Sequence, residues 1–89
     1  MLNLNDVFTG DILTPDAIGQ AFVYSQPDFD KSGYNFVVVD KSETVIVIST
    51  MQVKQINSEQ HVNWCFVVIN KTGTLGWIPI GWLQKVTIT

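Results

Sequence analysis

The chain has 89 residues, 46% of them hydrophobic and 15% charged, with a formal net charge of −3. A chain this short buries only about 60–65% of the surface that its unfolded form exposes, so it holds one small domain, and its apolar-to-charged balance is that of a globular protein. All the basic residues are lysines and the pI is near 4.7, which removes the arginine fork and the basic footprint of a nucleic-acid binder. Cys65 is the only cysteine and His61 the only histidine. An internal disulfide is excluded, a metal site has almost no ligands, and no cofactor is expected.

In chain order, Met1 to Asp6 lacks a basic stretch followed by an apolar one, and no apolar run reaches the roughly 18 residues of a membrane span. The expectation is a soluble, cytoplasmic, reduced protein with no membrane partner. Thr14-Pro15-Asp16-Ala17-Ile18 reads as an N-cap, a proline at the first helical position and a single turn closed by Gly19. Residues 1–19 are therefore expected as an N-terminal arm or an extra strand.

The rest is rich in valine, isoleucine and threonine, whose stiff branched side chains suit a pleated surface. Short apolar segments run from Ala21 to Tyr24, Phe36 to Val39, Val45 to Ile48, Trp64 to Ile69, Leu75 to Ile80 and Leu83 to Ile88. None keeps a helical period over three turns. Turn-forming clusters separate them: Ser25 to Asp28 with Lys31 to Gly33, Asp40 to Glu43, and Asn70 to Gly73. The last of these predicts a tight hairpin between antiparallel strands. Strands at this spacing suggest a small barrel or sandwich, with Ala21, Val38, Val47, Val67, Ile78 and Val86 in its core.

The stretch Trp64 to Val86 carries a more specific pattern. A tryptophan opens one strand, a hairpin ends in Gly73, and Gly76-Trp77-Ile78-Pro79-Ile80-Gly81-Trp82-Leu83 leads into the last strand. This resembles the C-terminal half of a Src homology 3 (SH3) domain without a gap. Upstream, Ala21-Phe22-Val23-Tyr24-Ser25 resembles that family's Ala-Leu-Tyr-Asp-Tyr opening strand, and Phe36 to Glu43 its return arm and diverging turn. The likeness spans about Gln20 to Ile88. It implies an all-β fold, a small five-stranded SH3-like barrel over residues 20–89 with an N-terminal extension. The Gly-Trp-Ile ending also resembles bacterial SH3-like domains, which occur beside cell-wall enzymes and contact peptidoglycan peptides.

The resemblance implies a groove of aromatic side chains that reads an extended, proline-containing peptide, a ligand that is already in polyproline II form and loses little entropy on binding. Carried over by position, Trp64, Pro79 and Trp82 match groove residues. The family's tyrosines fall on Val23 and Ser25, so Tyr24 joins the groove only if its strand is shifted by one residue. Asp28 and Asp30 fall in the loop whose acids meet a ligand lysine or arginine. Trp64 and Trp82 are expected to be exposed, Trp77 to pack, Cys65 to be a small buried hydrophobe and His61 a surface residue. Without a nucleophile context no enzymatic activity is expected. The expected function is a non-enzymatic module for a peptide or protein partner. The alternatives are an accessory subunit whose groove is closed by its own arm or a neighbouring copy, and a bacterial SH3-like module that binds cell-wall peptides. Exposed edge strands and a detachable arm leave a homo-oligomer open.

Overall fold

The β-branched runs do form strands, seven among the described residues rather than five. In the computed structural model, which describes residues 2–16, 20–29, 35–56 and 58–86, these are β1 (Ile12–Pro15), β2 (Gln20–Tyr24), β3 (Phe36–Asp40), β4 (Val45–Lys54), β5 (His61–Ile69), β6 (Leu75–Pro79) and β7 (Leu83–Lys85). They make one curled antiparallel sheet, a half-barrel in the order β3-β2-β6-β5-β4-β1-β7. The count exceeds five for two reasons. Ile12–Pro15 is a strand in its own right, held between β4 and β7, and β3 pairs with β2 along its whole length.

The expected helical turn at Thr14 is replaced by that strand. Thr14 Oγ1 donates to the carbonyls of Lys41 (3.1 Å) and Glu43 (2.9 Å), so its hydroxyl ties β1 to the turn after β3 instead of capping a helix. Ala17, Ile18 and Gly19 lie outside the described residues, as do Asn57 and the turn residues Lys31 to Gly33.

Alternation with a period of two builds the core. Ala21 and Val23, Val45 and Val47, and Cys65, Val67 and Ile69 point inward, joined by Leu13, Val39, Ile78, Ile80 and Leu83. Each buried aliphatic side chain stabilises the fold by about 1.5–3 kcal/mol relative to exposure. Val38 and Val86 are not in this core: Val38 has the opposite phase to Val39 on β3, and Val86 follows the end of β7. Val7 packs into the core, whereas Phe8 beside it is exposed.

The hairpin at Asn70–Gly73 forms as read. Gly73 has φ 75°, and its N–H donates to the Ile69 carbonyl at 2.7 Å, closing a turn that favours glycine. At the turn after β3, the Ser42 hydroxyl and N–H both donate to the Asp40 carboxylate and hold it below the usual carboxylate range. Gly76 is not a turn residue. It lies within β6, where β2 passes so close that an added Cβ would stand 2.9 Å from the Tyr24 carbonyl oxygen.

Candidate functional site: an aromatic layer outside the core

Alternation along β5 turns Trp64, Phe66 and Val68 away from the side occupied by Cys65, Val67 and Ile69. Trp64 is nevertheless 0% exposed. It is covered by other rings rather than by the aliphatic core. Phe29 lies over it with centroids 4.9 Å apart, and Tyr24 meets it edge-on at 5.8 Å. Pro79 is the register partner of Trp64 on β6 and is buried as well.

Tyr24 is the hub of the layer. Its ring approaches those of Phe22, Phe29, Phe36, Trp64 and Trp82 at 5.3–6.4 Å, and its half-buried position pushes the phenol pKa up. Offset and edge-to-face pairs at such distances add about 0.5–1.5 kcal/mol each beyond area burial. Trp82 is delivered by the 3₁₀ turn Ile80–Trp82 that follows Pro79: Ile80 turns into the core, and Trp82 faces Phe22, Tyr24 and Phe29. Phe36, on β3 opposite Tyr24, completes the surface and packs on Phe22 at 4.9 Å.

Two buried polar side chains fasten the segment that carries Phe29. The Ile56 N–H donates to Asp28 Oδ2 at 2.8 Å, and the Phe29 N–H donates to Gln55 Oε1 at 3.1 Å. Gln55 Nε2 donates in turn to the Val53 carbonyl. These bonds join the 25–29 segment to the end of β4, across the face of Trp64.

The structure therefore gathers Tyr24, Trp64, Pro79 and Trp82, with two differences from the sequence expectation. Trp64 is a covered floor and not an exposed wall. Asp28, only 4% exposed, holds a backbone N–H instead of standing in solvent. Asp30 lies outside the described residues. Val23 points into the core and Tyr24 into the aromatic layer. Phe22, Phe29 and Phe36 belong to the same layer and were not singled out from sequence. The alternation Phe22-x-Tyr24 beside the hairpin-related Phe36 was the readable signal for two of them.

Trp77 packs on Phe66 at 4.9 Å, apart from this layer. No described arm residue contributes a ring to the layer; the segment before β1 runs along β4, where the Gly10 N–H donates to the Val47 carbonyl and Thr9 Oγ1 to that of Ile48. Cys65 is fully buried, and burial pushes its thiol up to about 12. A thiol reagent should therefore leave the native protein unmodified and label Cys65 only at the rate of unfolding, which intact-mass measurement during a denaturant series will read.

The arrangement defines a small all-β half-barrel with an aromatic layer on its outer face. The chain matches no protein-family model, no curated protein and no solved structure. Among the described residues no helix is long and apolar enough to cross a membrane, and no three His, Cys, Asp or Glu side chains group to hold a metal.

Proposed function

We propose that this chain is a non-enzymatic interaction module that binds an extended, proline-containing peptide over Phe22, Tyr24, Phe36 and Trp82. The observation that carries the reading is the Trp64 indole. Its Nε1 is the one buried side-chain nitrogen or oxygen among the described residues without a hydrogen-bond partner. Burying a donor without an acceptor costs about 1–3 kcal/mol. A peptide carbonyl that reached this N–H would accept from it, while the surrounding half-exposed rings supply flat apolar walls for a ligand with little entropy to lose. Because Asp28 is buried and engaged with Ile56, it is not placed to meet a lysine or arginine flank on the peptide.

A second reading, an accessory subunit with a closed groove, draws on one observation: Phe29 of the same chain already fills the space over Trp64. Amide NMR separates the two. Titration with proline-rich peptides should give saturable shifts at Tyr24, Phe36 and Trp82, and Trp82→Ala should weaken binding by roughly tenfold or more, as loss of a central aromatic anchor does. Trp64→Phe should weaken it without unfolding the protein. A folded protein whose spectrum does not move at millimolar peptide overturns the peptide reading in favour of the closed subunit.

A further inference from the structure

We infer that this protein self-associates through β3, the outer edge of its sheet, by pairing that strand with the β3 of a second copy about a twofold axis through Val37.

Among the described residues β3 pairs with β2 only, and its first three residues, Phe36, Val37 and Val38, are 41%, 42% and 43% exposed. The hydrogen-bond phase of this strand follows from one bond beyond its end. The Ser25 N–H donates to the Asn35 carbonyl, which makes Ser25 and Asn35 a hydrogen-bonded pair. Alternation then makes Val23–Val37 and Ala21–Val39 hydrogen-bonded pairs and leaves the N–H and C=O of Phe36, Val38 and Asp40 pointing away from β2. Those of Asp40 are already used, since its N–H donates to Glu43 Oε2 and its carbonyl accepts from the Glu43 N–H, both at 3.0 Å. What remains is a short ladder with the backbone groups of Phe36 and Val38 open, on a strand with no lysine, proline or bulge to guard it.

This ladder is complementary to itself. With an antiparallel copy centred on Val37, Phe36 faces Val38 of the second copy and Val38 faces its Phe36, so each copy's open groups are matched without a register slip. The facing pairs are aromatic against β-branched, a favourable cross-strand combination. Charge also selects a second copy over a charged peptide. Asn35 to Val39 carries no charge, so two acidic chains meet without like charges at the seam, and a basic or acidic ligand has no counter-ion there. An apolar cleft of about 330 Å³ lined by Val23, Tyr24, Phe36, Val37 and Leu75 opens beside the same end of the strand and extends the apolar surface. Three part-exposed side chains per copy offer far less than the about 800 Å² per partner of a stable interface, so the dimer dissociates on dilution.

Crosslinking tests the axis directly. In the paired ladder Val37 faces Val37 of the second copy as a non-hydrogen-bonded pair, with Cα atoms about 4.5 Å apart, within disulfide reach. Val37→Cys in the full chain should give a disulfide-linked dimer under mild oxidation. Val38→Cys, whose facing residue is Phe36, should crosslink roughly tenfold less. Buried Cys65 does not compete. In the unmodified protein, NMR diffusion should slow with concentration while the Phe36 and Val38 amides shift, and Val38→Lys should abolish both effects. Equal crosslinking by the two cysteine variants, or an unchanged diffusion coefficient up to millimolar protein, overturns the proposal. So does concentration-dependent association that Val38→Lys leaves intact.

Discussion

Gly76→Ala should lower the melting temperature by roughly 10–20 °C. A Cβ at this position would overlap Val23 Cγ1 and stand 2.9 Å from the Tyr24 carbonyl oxygen. The first obstacle is a close-packed core side chain and the second is backbone, so neither yields by rotating a flexible end. Overpacking of this kind costs about 1–3 kcal/mol, and the fixed carbonyl places this case at the upper end. The alanine also restricts the unfolded chain, which returns about 0.4–1 kcal/mol and leaves the net effect destabilising. A domain of this size shifts by about 4–8 °C per kcal/mol, against a total stability on the order of 5–10 kcal/mol. The damage falls on a narrow seam, because Tyr24–Trp77 is the one register pair joining β2 to β6. Thermal unfolding followed by circular dichroism measures it. Adding Val23→Ala should recover only part of the loss, since the carbonyl contact remains. An unchanged melting temperature would mean that β2 does not approach β6 as described.

Trp64→Ala should cost about 3–5 kcal/mol, the range for emptying a large aromatic site in a packed interior. The cavity would lie under Phe29 and Tyr24, so the covering layer should loosen with it, and the Phe29 and Gln55 amides should exchange faster. Trp64→Phe should cost at most about 2 kcal/mol. It loses area, but it also removes an indole N–H whose burial without a partner costs about 1–3 kcal/mol. Chemical denaturation of the two variants separates the terms. If phenylalanine proved as costly as alanine, the indole nitrogen would be satisfied in solution, and the donor that supports peptide binding would be lost with it.

Most of the architecture was readable because it depends on local pattern. Six of the seven strands coincide with apolar runs bounded by turn residues, and Asn70 to Gly73 closes its hairpin because Gly73 adopts a backbone angle that other residues resist. The first strand was harder. Thr14 and Pro15 carry good helix-start chemistry, and only pairing with β4 and β7, together with the carbonyls of Lys41 and Glu43, makes a strand the better use of those residues. Val38 and Val39 illustrate another limit. In an unbroken run of valines composition does not tell which face is inward, and the choice is made by the phase of pairing with β2.

The candidate site divides along the same line. The sequence by itself determined an all-β chain, since strand alternation and turn chemistry are local properties, while a positional resemblance put Trp64, Pro79 and Trp82 forward as members of one surface, with Tyr24 joining them only if its strand were shifted by one residue. Only the tertiary structure decided that Trp64 is a floor beneath Phe29, that Asp28 secures the segment above it, and that Phe22 and Phe36 share the layer. Those outcomes depend on residues 25–29 meeting residues 53–56 and on β2 lying against β6. Such contacts between distant parts of the chain are selected by burial and hydrogen-bond satisfaction in three dimensions, and neighbouring residues do not encode them.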